Sequence, residues 1–575
     1  MGTYAVDFET TTDLNDCRVW VWGLVDIESE IFQWGTSVDD FMNHLSIGKS
    51  NTAYFHNLQF DGEFLLYWFF RNGYTHTQSR KVYEGEFSTL ISDTGQFYTI
   101  QTVINGCKIK FVDSYKIIPF SVKAIAPMFG LEESKGEIDY HKYREIGYIP
   151  DENELEYLKS DCIIISKALK ILFNRGLTKI TQGSNAINDL KCKIGKKKFD
   201  KWFPQVPQQI DEFIRKAYKG GYVYLKPELA GKVIYNGSQF DVNSLYPFVM
   251  RYRLMPFGDA VFFKGKYKND KIYPLYVQRL KCQFSIKPGF LPTIQIKGSR
   301  FIETEYLTDS GTDEVTLTLT NIDLQLFFEH YNIYNIEWLD GYKFMGAYNM
   351  FSVYIEYWMG EKIRAEKEGN YSMRTLAKLM LNAAYGKFAT NPIKISKIPY
   401  YERENDFVRF RLSFPETTKG LYIPVGCFIT SYAREVTIRA GQKNFDRFIY
   451  SDTDSLKLTG TEKPDIEIHK NKLGAWKDEG NFYKGKWIRA KTYITWEEVE
   501  PEHVEKLVES GENVIEDGKT YVQKVTCAGM GKHARNDINF DDFNIGMILP
   551  NGKRNRKRVP GGVVLTDIDY VMRNK

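Results

Sequence analysis

Residues 447–459 read Arg447-Phe-Ile-Tyr-Ser-Asp-Thr-Asp-Ser-Leu-Lys-Leu-Thr459. Phe448, Ile449 and Tyr450 form a short apolar run, and Leu456 and Leu458 flank polar Lys457, so two strands joined by a tight turn are expected. Asp452 and Asp454 sit in the turn. Carboxylates this close repel each other unless a cation lies between them. Mg²⁺ suits such a place, because it takes one or two protein carboxylates and completes its shell with substrate phosphates. A solvated Asp-rich turn is the competing reading, since Asp is also a frequent turn residue. The decision falls to the rest of the chain.

At 575 residues the chain is too long for one hydrophobic core, and several domains are expected. Its 38 Tyr and 39 Phe offer rings on which bases could stack, although ordinary core burial accounts for them equally well. A net charge of +4 is too small to select a partner. The 7 cysteines form no CxxC pair, which argues against a zinc site or a disulfide framework and suits the cytoplasm. The N-terminus lacks a basic stretch followed by an apolar one, and the longest apolar run, Phe64 to Phe70, is too short to cross a bilayer. No membrane association is expected.

Three pieces of the first 180 residues carry acids. Tyr4-Ala-Val-Asp-Phe-Glu-Thr-Thr11 alternates as a strand, which puts Asp7 and Glu9 on one face. Tyr54-Phe-His-Asn-Leu-Gln-Phe-Asp61 is aromatic-rich and ends on Asp61, with His56 and Asn57 just before. Leu155 opens a helix expected to run to about Asn174 and stop at Gly176, and it carries Tyr157 and Asp161 on one face. A wet acidic edge strand, a packed histidine and a surface Tyr–Asp hydrogen bond would explain each piece separately. Taken together, they resemble the DEDDy 3′–5′ exonuclease domains that proofread for DNA polymerases. The resemblance implies that Asp7, Glu9, Asp61 and Asp161 are catalytic metal-binding acids and that Tyr157 orients the attacking water. It also brings in Lys135 as a charge-stabilising catalytic lysine and Glu137 as a further metal ligand. Tyr54, His56, Asn57, Phe60, Ser114 and Tyr115 are the residues expected to grip single-stranded primer.

The second half begins, on this reading, near residue 185, just before the basic run 191–202. Tyr218-Lys219-Gly220-Gly221-Tyr222 could let a backbone pass close to DNA, although paired glycines are common in simple turns. In Gln239-Phe-Asp-Val-Asn-Ser-Leu-Tyr-Pro247, Asp241 lies at a strand end before a turn to a helix. Residues 372–386 form a helix on which Arg374, Lys378, Asn382 and Tyr385 make one polar stripe, with Gly386 expected as its cap. Two cations on that stripe suit a triphosphate.

DxNSLYP, KLMLNAAYG and YxDTDS resemble motifs A, B and C of family-B DNA polymerases. The likeness implies that Asp241, the Val242 carbonyl and Asp454 bind Mg²⁺, with Mn²⁺ as the alternative, and that Asp452 supports the catalytic site. It assigns Tyr246, Lys362, Lys378, Asn382 and Tyr385 to the nucleotide. Tyr218, Lys219, Ser244, Lys491 and Tyr493 fall to the DNA. About 130 residues separate motifs A and B, and a polar-tipped hairpin, 397–412, separates B and C. Such insertions, near 255–350 and 392–420, resemble those of protein-primed phage polymerases of the phi-29 type.

The expected architecture is α+β and multidomain. An RNase H-like exonuclease domain spans 1–185, and a right-hand polymerase of palm, fingers and thumb spans 186–575. The implied partners are primer-template DNA, dNTPs and a terminal protein primer, and the implied state is a monomer. The basic run Lys553–Arg558 is expected on duplex phosphates or in a disordered tail. Rival readings are an exonuclease with a noncatalytic DNA-binding C-terminal half, and a DNA-binding scaffold. Neither needs Asp241, Asp452, Asp454 and Lys378 together.

Overall fold

The strand Gly2–Thr10 organises the first sheet of the computed structural model, which describes residues 2–140, 142–295, 306–509, 511–516 and 518–573. It pairs antiparallel with Val19–Asp26 and parallel with Ser50–Phe55, and Ser50–Phe55 runs parallel to Cys107–Asp113. Antiparallel strands Phe97–Ile104 and Glu86–Ile91 extend this sheet of eight strands. Alternation sends Val6 and Phe8 into a core shared with Phe64 and Leu65 of helix Leu58–Arg71. Ala5, and with it Asp7 and Glu9, faces the other way, toward helix Glu152–Phe173. That helix starts three residues earlier than expected, because Asp151 and Glu154 form a capping box around its first turn.

The boundary expected near 185 falls close to the start of a helix. Residue 185 lies inside the continuous helix Gln182–Ile194, which packs on helix Tyr371–Phe388. The break in regular structure comes earlier, across residues 174–181.

The second eight-stranded sheet is antiparallel. Its central strand, Val233–Val242, lies between Ser455–Thr459 and Trp476–Arg489. The hairpin Phe448–Asp452/Ser455–Thr459 forms as expected, with Thr453 in the left-handed region at φ 61°. Helix Tyr371–Phe388 runs past Gly386, which is therefore not a cap. Glycine in a helix interior costs about 1 kcal/mol, whereas burying a phenylalanine gains about 1.5–3 kcal/mol. Phe388 provides that gain against Phe199 and Phe203.

Between motifs A and B, Met255–Lys264, Tyr331–Ala347, Leu275–Ile286 and Val315–Thr320 make a separate four-stranded sheet with its own core. Residues 296–305 of this insertion lie outside the described residues. The second insertion is the hairpin Lys397–Glu402/Phe407–Leu412. Lys553–Arg558 is a strand and not a tail, part of the ribbon Ile548–Val559/Gly562–Val571. Arg558 reaches back to the buried Glu63 of helix Leu58–Arg71 at 2.7 Å, which ties the end of the chain to its beginning. At Gly561, φ 96°, a Cβ would meet the Cys17 carbonyl at 1.7 Å, so only glycine allows this seat.

No helix among the described residues is long and apolar enough to cross a membrane, and all seven cysteines are unbridged.

Candidate active sites

Asp241 stands opposite Ser455 in the ladder, and the Val242 amide donates to the Asp454 carbonyl at 2.8 Å. The strand end carrying Asp241 and the turn carrying Asp454 are thereby locked together. Burial first, and then Asp454 and Glu479, push the Asp241 carboxyl from 3.8 up to about 7, against Lys457 and Lys477. Burial likewise raises Asp454. Asp452 is instead held by the Lys491 ammonium, 2.8 Å from both of its oxygens. The Lys491 amide also donates to the Tyr450 hydroxyl at 3.0 Å, and the Tyr493 ring lies 5.5 Å from that of Tyr450.

Tyr246 and Tyr385 stack at 3.7 Å with 16° between planes, so motifs A and B meet face to face. Their phenols share a hydrogen bond, and burial raises the Tyr246 hydroxyl. Arg374, Lys378 and Asn382 are exposed along the helix face, while Leu376, Leu379 and Met380 are buried, which reproduces the expected stripe. Lys362 comes from the neighbouring helix Ser352–Lys367 and lines a cleft of about 390 Å³ with Asn243, Ser244, Glu366 and Lys367.

Sequence reasoning missed the support behind the hairpin. Arg434 is fully buried and binds Asp323 at 2.7 Å, and it also donates to the carbonyls of Lys219 and Gly220 at 2.9 and 2.8 Å. Thr437 donates to the Thr453 carbonyl at 2.6 Å, and the Thr453 amide donates to the Tyr222 carbonyl at 2.7 Å. Gly221 packs on Thr453, where a Cβ would come within 2.4 Å of its hydroxyl. The glycine pair thus serves the motif C turn, whatever its relation to DNA. Arg434, directly after the mostly apolar first half of helix Ile423–Lys443, is the available signal. Removing one partner of such a buried pair costs about 3–5 kcal/mol.

In the N-terminal sheet, Asp7, Glu9, Asp61 and Asp161 converge and repel one another. Burial and then Asp161 push Asp7 up to about 7, with Lys135 opposing. Burial and then Asp7 hold Glu9 and Asp61 well above the carboxylate range. Lys135 binds one Asp161 oxygen, and the other is buried without a partner. The Tyr157 hydroxyl meets that of Tyr140 at 2.7 Å, a contact that no motif announced. Glu137 is exposed, outside this buried group.

The expected strand-gripping residues divide. Tyr54 is a core residue packed on Phe173, and Ser114 is fully buried, donating to the Phe55 carbonyl at 2.9 Å. Both lie beneath the surface of this structure. His56 has both ring nitrogens engaged, by the Ser114 hydroxyl and the Phe120 carbonyl, and burial lowers it to about 4. Asn57 holds the N-cap position of the helix bearing Asp61 in the left-handed conformation, with no side-chain capping bond; Phe60 is half-buried, and Tyr115 is exposed beside the His56 ring.

Two acid-bearing centres on separate sheets, one beside a cationic helix face and an aromatic floor, define the molecule as a nucleic-acid enzyme with two carboxylate sites. The family model for DNA polymerase type B, organellar and viral, matches residues 43–150 and 147–473. The DNA polymerases of Bacillus phages phi29 and PZA are each 42% identical, over 99% of this chain and 99% of theirs. The solved structure of phi29 DNA polymerase complexed with primer-template DNA and incoming nucleotide substrates matches with a TM-score of 0.91 at 40% identity, covering 100% of both chains. The chain belongs to the organellar and viral type B DNA polymerases, and it is a DNA-directed DNA polymerase. Its first sheet has the exonuclease fold, and its second is the palm of a right-hand polymerase.

Enzymes of this family depend on divalent metals. Among the described residues no three acidic, histidine or cysteine side chains are already gathered around one point. The donor sets nevertheless fit a hard cation. Burial and then a neighbouring acid raise Asp7 and Asp241, one Asp161 oxygen is orphaned, and Lys135 supplies a positive charge where an ion would.

A pH test follows. Asp7 and Asp241 have folded values near 7, above their unfolded value, so their contribution to stability is full below about pH 4 and lost as pH rises through 7. In EDTA the melting temperature is therefore expected to fall from pH 5 to 8. Mg²⁺ should raise it more at pH 8 than at pH 5, because the ligands must be deprotonated. A metal increment independent of pH, read by scanning fluorimetry, would contradict the assignment.

Proposed function

We propose that the chain builds DNA at the Asp241–Asp454 centre and trims 3′ ends at the Asp7–Glu9–Asp61–Asp161 centre, using Mg²⁺ in both. The observation that carries this reading is the pair of self-repelling carboxylate sets on two different sheets. An exonuclease domain over 1–185, followed by palm, fingers and thumb with two insertions over 186–575, belongs to the same reading.

In synthesis the primer 3′-oxygen bonds to the α-phosphorus of a dNTP, and the bond to the β-phosphate oxygen breaks, releasing pyrophosphate. Bound metal would supply an activated hydroxyl and neutralise the leaving charge. Lys378, Lys362 and Arg374 hold the triphosphate, Asn382 reaches the base pair, and the Tyr246–Tyr385 stack forms a floor that leaves no room for a 2′-hydroxyl. Lys491, set by Asp452, and Tyr493 hold the primer end. In the other centre Tyr157, steadied by Tyr140, orients water toward the terminal phosphodiester, and Lys135 balances the charge that develops there. A mismatched end frays at lower cost, which biases trimming toward errors.

The partners on this reading are primer-template DNA, dNTPs and a terminal protein whose hydroxyl replaces the first primer. A monomer does the work in the host cytoplasm, displacing strands as it replicates a linear phage genome. The likeness to the phi29 polymerase over full length, insertions included, supports this. The test supplies labelled dNTP, a linear template and the terminal protein encoded by the same phage. Label is expected to move with that protein on a denaturing gel. Extension of DNA primers without such label would reject protein priming.

A further inference from the structure

The cleft that receives the triphosphate on the reading above contains an acid that the reaction does not call for. Glu366 lines it together with Lys362 and Lys367. It accepts a hydrogen bond from Arg374 Nε at 3.1 Å, bridging helices Ser352–Lys367 and Tyr371–Phe388. Glu366 is the penultimate residue of its helix, where a carboxylate faces the negative end of the helix dipole, so helix stability does not explain it. Both side chains are about half exposed, 47% and 48%, and such pairs are weak and screened by salt. Lys362 feels the pair: burial first weakens its hold on the proton, Glu366 strengthens it, and Arg374 and Lys378 weaken it further. Glu366 thus pairs with Arg374 and acts on Lys362, with Lys367 in the same cleft and Lys378 within electrostatic reach of Lys362.

We propose that Glu366 is a stand-in for the nucleotide's phosphates: it occupies Arg374 until an incoming triphosphate displaces it, and so sets the affinity for nucleotide. The inference rests on the assignment of Arg374 and Lys378 to the triphosphate. A triphosphate carries several negative charges and offers the guanidinium fork more than one oxygen, so it outcompetes a single carboxylate engaged through Nε alone. Once displaced, Glu366 still repels the polyanion. It keeps the cleft from trapping pyrophosphate and other phosphate ligands that unopposed cations would hold. Glu366 is a positioning residue, since it acts through Arg374.

The test measures dNTP KM and kcat on a primer-template with the full chain, together with equilibrium binding of dNTP to a dideoxy-terminated primer complex. Glu366→Gln is expected to lower KM and the dissociation constant about two- to fivefold without raising kcat, the scale of one exposed ion pair. Arg374→Ala should raise KM, and adding Glu366→Gln to it should produce a smaller gain than in wild type. Glu366→Asp should stay near wild type. A tie that only braces the two helices predicts the opposite sign: a KM in Glu366→Gln that rises with a lowered melting temperature, or does not move, overturns the proposal while Arg374→Ala still raises KM. An Arg374→Ala variant with unchanged KM overturns the triphosphate assignment and the proposal with it.

Discussion

Asp454→Asn is expected to lower single-turnover primer extension by about 10³-fold or more, the scale of several kcal/mol of charge stabilisation lost at the α-phosphate. Asp241→Asn should do the same. The amide keeps the shape of the side chain, so the hairpin and its hydrogen bond from Val242 to the Asp454 carbonyl should survive. Burial and the neighbouring acids raise both carboxyls, so the amide also relieves repulsion in metal-free protein. The melting temperature in EDTA should therefore hold or rise while synthesis collapses. Degradation of a labelled single strand by the same preparation should stay within about twofold, because distant sites without shared partners behave independently. Parallel loss of both activities would mean that the two centres are one functional unit.

Asp7→Ala is expected to give the mirror result, a loss of about 10³-fold in 3′–5′ degradation with primer extension retained. Asp7 is the cleaner choice over Asp161, whose removal would strand the Lys135 ammonium that it binds. Loss of Asp7 takes away one member of a set of four repelling acids, and Glu9 and Asp61 should then ionise more easily. Extension on a mismatched primer end sharpens the test. The variant should stall there or extend the error, whereas wild type removes it first. Persistent degradation in Asp7→Ala would shift the exonuclease elsewhere in the chain.

Much of both sites was legible in the residue order, because the chemistry constrains short local patterns. A strand end with one acid, a turn with two, and a helix with cations at four-residue steps can each be read without knowing the fold. What stayed hidden depends on contacts between residues far apart in the chain. Arg434 and Asp323 are 111 residues apart, and Arg558 and Glu63 are 495 apart. Tyr140 gave no periodic signal toward Tyr157, because it lies in an irregular loop. The burial of Tyr54 and Ser114 is equally hidden, because a motif position does not say whether its side chain ends up under the surface or on it.

The amino-acid order by itself determined the strand and helix periods, the acids at their tips and the family that those motifs mark. The tertiary structure decided which acids share a centre, where the helix at Gly386 really ends, and that Glu366 faces Arg374. The reason is physical. Periodicity depends on neighbours within a few residues, whereas burial, charge pairing and the close approach of Gly221 to Thr453 exist only once distant segments have packed.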